Sequence, residues 1–172
     1  MTRRLITLLA VGLLAAMPAR STAQSISLAG GLGMPTGTMA NNEQSGYNGT
    51  LGFNFGAPLI PVGARLEGSI NGFNHKNNVN GDFRVMSGTA NVIVGMGMPY
   101  LIGGMGYYNA RHKQTVSALT SSETVSGAGF NIGAGFSLPL PSLSPFVEVR
   151  YHQMLGNNDK VKFIPITFGI KF

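Results

Sequence analysis

Two short runs of charge, in a chain with few charges, raise the question of chemistry: Arg65 with Glu67, and Glu148 with Arg150 and His152. In each run the members stand two residues apart, the spacing that places side chains on one face of a β-strand. Carboxylates and guanidinium groups that share a space with little water must pair, because an unpartnered buried charge costs far more than a paired one. The expected chemistry is therefore an ion-pair network, with Arg111 and Lys171 as further members. The competing use of these residues is a charged lining that selects small solutes along a narrow path.

His152 also invites a catalytic reading. A serine nucleophile needs a base within hydrogen-bond reach, yet the residue two positions beyond His152 is Met154, and Asp159, Ser117, Ser121 and Ser122 stand at no spacing that recommends them. Enzymatic activity is not expected. His75, His112 and His152 are isolated from one another in sequence and cysteine is absent, so the spacing predicts no metal site and no cofactor. The glycine-rich runs lack the lysine of a phosphate-binding loop.

The elements that must position these charges are strands. From Phe163 to Phe172, Ile164, Ile166, Phe168, Ile170 and Phe172 fall on one face and Pro165, Thr167, Gly169 and Lys171 on the other. Strict period two with one apolar face is a half-buried strand. Seven earlier segments alternate in the same way. Leu51, Phe53 and Phe55 oppose Thr50, Gly52 and Asn54; Ala64 and Leu66 oppose Arg65 and Glu67; Val147, Val149 and Tyr151 oppose Glu148, Arg150 and His152. In the fifth segment, from Pro99 to about Arg111, alternation is least clean, and Tyr100, Ile102 and Tyr108 are assigned to the apolar face.

Joints rich in Pro and Gly at 57–61, 97–98 and 139–144 read as tight turns. Joints at 36–46, 74–81, 112–125 and 155–160 are longer and polar, which sorts long and short connections to opposite ends of an up-and-down meander. The expected fold is all-β: an eight-stranded antiparallel transmembrane β-barrel, since closure removes the sheet edges that lipid cannot satisfy. A soluble ligand-binding barrel would have the opposite polarity, apolar side chains inward. The residue content favours apolar-out, because charges facing lipid cost roughly 2–4 kcal/mol at mid-membrane for a basic residue. Aromatics gather near segment ends, Tyr47, Phe73, Phe83, Tyr108, Tyr151 and Phe163 toward the loops and Phe55, Tyr100, Phe136, Phe146 and Phe172 toward the turns. They are expected to form two interfacial girdles.

Residues 1–23 read as a secretory signal: Arg3 and Arg4, an apolar stretch from Leu5 to Met17, then Ser21-Thr22-Ala23 before a cleavage point at Gln24. An apolar stretch of about 13 residues is too short to cross a bilayer core as a helix. Of the formal charge of +6, the leader's arginines supply half, leaving about +3 on residues 24–172. The remaining cations are scattered, not clustered on one face, which argues against nucleic acid as a partner.

The run Leu28-Ala29-Gly30-Gly31-Leu32-Gly33, the run Pro99 to Tyr107, the run Pro145 to Tyr151 and the ending Ile166 to Phe172 together resemble the bacterial outer membrane protein β-barrel domain family, small barrels similar to OmpA, OmpX and the opacity proteins. The resemblance covers residues 24–172 and is one of alternation and Gly-aromatic texture. It implies a cell outer membrane location and a terminal strand, with Phe168, Ile170 and Phe172, that the barrel-assembly machinery reads. An eight-strand barrel is only wide enough to be filled by side chains, so the expected function is a plugged, monomeric barrel in a structural or surface-interaction role. The alternative is a narrow transport or small-ligand-binding barrel. Outer-membrane lipid is the expected surrounding, and Lys76, Arg84, Arg111, Lys113, Lys160 and Lys162 near the loops are candidates for lipopolysaccharide phosphates.

Overall fold

A computed structural model describes residues 24–56, 61–75, 81–95, 98–116, 119–140, 142–156 and 161–172. The proposed leader, Lys76, Asp159 and Lys160 lie outside them. The strands are β1 (Gln24–Pro35), β2 (Glu43–Gly56), β3 (Val62–His75), β4 (Gly81–Gly95), β5 (Pro99–Val116), β6 (Leu119–Ser137), β7 (Ser144–Met154) and β8 (Lys162–Lys171), with one helical turn, α1 (Met39–Asn42), between β1 and β2. Every strand pairs antiparallel with its sequence neighbour, and β8 returns to β1 to close the barrel. The seam is tied at its end by mutual backbone bonds between Ile26 and Phe172, each 2.9 Å.

Apolar side chains form the outer wall. Leu28, Leu51, Leu66, Val92, Leu101, Ile132, Val149 and Phe168 are exposed, while Arg65, Glu67, Asn71, Asn91, Asn131, Glu148 and Arg150 are buried inside. This polarity suits a hydrocarbon solvent: the wall meets lipid, and the polar groups find partners across the interior. Met105, 67 % exposed and midway along the wall part of β5, tests it. Met105→Arg is expected to lower the unfolding free energy in lipid vesicles by about 2–4 kcal/mol, and Leu138→Arg, near the turn end, by about 0–1 kcal/mol. Urea titration of the refolded variants measures both, and equal effects would contradict a depth-dependent lipid environment.

Three expectations need correction. In β5 the faces are reversed: Tyr100, Ile102 and Tyr108 point inward and Leu101, Met105 and Tyr107 outward. Apolar residues occupy both faces of this Gly-rich segment, so alternation alone is ambiguous. The neighbouring strand decides it, because paired residues share a face: inward Asn91 pairs with Gly104 and outward Val94 with Leu101. The aromatic girdles are likewise thinner than expected, since Phe73, Tyr100, Tyr108, Phe146 and Phe163 are interior. Tyr47, Phe55, Phe136 and Phe172 do stand on the outside.

Finally, the long joint expected at 112–125 is mostly strand. The ladder continues from Arg111–Thr124 to Val116–Leu119, helped by the β-branched Thr124 and Val125. The β5–β6 hairpin thus overhangs the barrel at the end opposite the chain termini. At that end the outer face of β4 and β5 passes from Met86 and Tyr107 to Arg84 and Arg111, which marks the upper limit of the apolar wall.

Candidate functional site

Arg65 and Glu67 on β3 and Glu148 and Arg150 on β7 all occupy inward positions of their strands. β3 and β7 face each other across the interior, four strands apart in either direction. Arg65 Nη1 donates to Glu148 Oε2 at 2.9 Å and to Oε1 at 3.2 Å, and lies 3.4 Å from Glu67 Oε2. Arg150 Nη2 donates to Glu67 Oε1 at 2.5 Å, and Arg150 Nε lies 2.8 Å from Glu148 Oε1 without hydrogen-bond alignment. The four side chains thereby close a cycle of alternating sign, Arg65–Glu148–Arg150–Glu67, that crosses the lumen and cancels its own charge.

Neighbouring strands complete the cycle's surroundings. The Tyr100 hydroxyl of β5 donates to Glu148 Oε2 at 2.7 Å, and Arg65 Nε donates to Asn54 Oδ1 of β2 at 2.7 Å. Beneath Arg65, the Phe146 ring lies 5.5 Å from the guanidinium carbon. Lys171, half-buried, rests its ammonium 5.5 Å from the Tyr100 ring and 5.7 Å from that of Phe146, contacts of cation–π type. Space for these large groups comes from glycine on β6. Gly133 pairs with Arg150, where a Cβ would approach Arg150 Cγ to 2.7 Å, and a Cβ on Gly135 would run into the Tyr100 ring.

Above the cycle lies a layer of neutral polar groups. Asn48 donates to Asn71 at 2.7 Å and accepts from Thr167 at 3.2 Å, while Asn131 donates to Asn91 at 2.7 Å. Above that is an apolar layer of Phe73, Val85, Tyr108, Ala110, Met154 and Phe163, capped by Met39 of α1. His152 belongs to this boundary and not to the charge cycle in which it was expected. Its ring stacks on Phe163 at 5.0 Å and its Nδ1 shares a hydrogen bond of 3.1 Å with the Tyr108 hydroxyl. The reason is height: His152 lies two residues further up β7 than Arg150, beside aromatic neighbours.

Arg111 also departs from expectation. It is exposed on the outer wall, directly opposite Arg84 in the β4–β5 ladder, because the register that turns Tyr108 inward turns odd-numbered residues outward. Arg84 Nη2 reaches Asp82 at 3.3 Å. Phe168 and Phe172 are exposed and Ile170 half-buried on the lipid side of β8.

At the outer mouth the fold unites residues that sequence spacing kept apart. His75 Nδ1 lies 2.9 Å from the Glu43 carboxylate, and the His112 ring is 4.7 Å from that of His75. Glu43 is buried because a β-bulge between Gln44 and Tyr47 adds a residue to β2 and flips its parity. No period-two reading of the sequence reveals such a flip.

The family model described as outer membrane protein beta-barrel domain matches residues 6–172, and no curated protein matches the chain. Among solved structures, Ail, the attachment invasion locus protein of Yersinia pestis, is 20 % identical, with a TM-score of 0.53 over 87 % of this chain and 95 % of that one. Neisserial surface protein A is 13 % identical, with a TM-score of 0.54 over 88 % of this chain and 96 % of that one. A major outer membrane protein from Thermus thermophilus is 12 % identical, with a TM-score of 0.59 over 87 % of this chain and 98 % of that one. At these identities the likeness is one of fold. With its eight strands closed, its apolar face outward and the family match running through the whole barrel, this chain belongs to the outer membrane protein β-barrel domain family.

Proposed function

We propose that the protein is a closed, non-conducting staple of the outer membrane whose biological contacts are made at its outer rim. The observation that carries this reading is the Arg65–Glu148–Arg150–Glu67 cycle, which bridges opposite walls and leaves its charges facing one another instead of a solute path. The polar and apolar layers above it support the same reading, since they add further side chains across the interior between the cycle and the outer mouth.

At the rim, the β5–β6 overhang extends the surface beyond the membrane wall. Below it, Arg84, which also reaches Asp82, and Arg111 are opposite one another in the β4–β5 ladder at the upper edge of the apolar face. Their planar donor forks suit phosphate, so lipopolysaccharide is their proposed partner. Anionic partners also occur on this fold, since Ail has been crystallised with the heparin analogue sucrose octasulfate. Residues 1–23 serve as the export signal in this reading, Phe168, Ile170 and Phe172 as the signal for assembly, and the barrel acts as a monomer without catalytic activity.

Planar-bilayer recording tests the closed interior. Wild-type protein is expected to give no steady conductance steps, and Glu148→Gln to raise the frequency of transient openings by breaking the cycle. Steady ion-selective steps from wild type, altered in selectivity by Glu148→Gln, would replace this reading with a transport path.

A further inference from the structure

We propose that Glu43, His75 and His112 form a Zn²⁺ site at the outer mouth of the barrel. One carboxylate oxygen and one ring nitrogen from each histidine lie within 4.8 Å of one another. Two imidazoles and a carboxylate are a donor set that zinc accepts, and three protein ligands leave a fourth position for water or an external group. Tetrahedral bonds of about 2.0–2.1 Å place ligand atoms roughly 3.3 Å apart, so closure on an ion draws the donor atoms together by at most about 1.5 Å from their spacing within 4.8 Å.

Three independent features point to a ligand here. The His112 Nε2 atom is buried and has no hydrogen-bond partner among the described residues, an arrangement that is costly unless something is bound. A cavity of about 160 Å³ adjoins it, lined by Met39, Asn42, Glu43, Phe83 and His112 among others, room enough for an ion and water. The local backbone is built to bring the carboxylate in, because without the β2 bulge Glu43 would face outward.

The surroundings restrain the donors. The His112 ring stands edge-on to Phe83 at 5.7 Å and 82°, and the apolar layer headed by Phe73 and Phe163 closes the floor. The three donors come from β2, β3 and β5, so an ion would cross-link both hairpins that flank β4. It would fix the mouth at the base of the overhanging β5–β6 hairpin.

The test uses the protein refolded in detergent micelles free of lipopolysaccharide, stripped with a chelator and titrated calorimetrically with ZnCl₂. One equivalent is expected to bind, with an affinity reduced at least about 100-fold in His112→Ala and in Glu43→Gln, as loss of a direct ligand exceeds the 10–100-fold typical of outer-shell changes. Heat-modifiable gel mobility verifies that each variant is folded. Co²⁺ supplies a readout that packing alone cannot move: wild type is expected to develop the visible absorption of tetrahedral Co²⁺, and both variants to lack it. Absence of stoichiometric Zn²⁺ binding in wild type, or binding and the Co²⁺ spectrum retained in both folded variants, would overturn the assignment.

Discussion

Glu148→Gln is expected to destabilise the barrel by about 3–5 kcal/mol, the range found when one partner of a buried ion pair is removed. Glu148 is 1 % exposed at its side chain, and so is Arg65. The glutamine keeps the shape but leaves Arg65 and Arg150 to share Glu67, with Lys171 close by against Tyr100 and Phe146. Two desolvated guanidinium groups then face one carboxylate, and the Tyr100 hydroxyl loses its charged acceptor. Equilibrium urea unfolding in lipid vesicles measures the effect. Adding Arg65→Met to Glu148→Gln restores the balance of one cation to one anion in the cycle, so the double variant is expected to be more stable than Glu148→Gln alone. A loss below about 1 kcal/mol for Glu148→Gln would mean that these charges are solvated, as exposed ion pairs are.

The cycle is legible in the sequence because two periodicities coincide. Arg65 and Glu67, like Glu148 and Arg150, sit on the polar side of strands whose other side carries Ala64, Leu66 and Ile70 or Val147, Val149 and Tyr151, so closing the barrel had to turn them toward each other. Legibility failed wherever a local pattern did not decide the face. In β5, Tyr100 and Ile102 look as lipid-compatible as Leu101 and Met105, and only pairing with Asn91 and Val94 of β4 fixes which are inside. The same ambiguity makes alternation alone turn Arg111 into the lumen, whereas the register places it outside.

The outer mouth was hidden for a different reason. Glu43, His75 and His112 are distant in sequence, and they meet only through the β2 bulge and the joint inward parity of β3 and β5. The apolar layer is not legible in the sequence because aromatic Phe73 and Phe163, near strand ends, are indistinguishable in type from an interfacial girdle. Alternation reports sidedness, and a small barrel that is dry on its upper inside has apolar residues on both sides.

Phe73→Ala tests that dry layer, with an expected loss of about 3–5 kcal/mol in the same unfolding assay. Phe73 is fully buried, 5.6 Å from the Phe163 ring in an edge contact and 6.2 Å from Phe83. Truncation leaves a cavity that backbone closed into a cylinder cannot collapse to fill, so the loss combines transfer and cavity terms. Phe168 provides the comparison on the other face of the wall, at 65 % exposed. Phe168→Ala removes the same atoms, but mobile acyl chains flow into the vacancy and no cavity remains. Its loss is therefore expected to be smaller than that of Phe73→Ala. Equal losses would mean that lipid or water already reaches Phe73 and that the ion cycle below it is not sealed from the outer mouth.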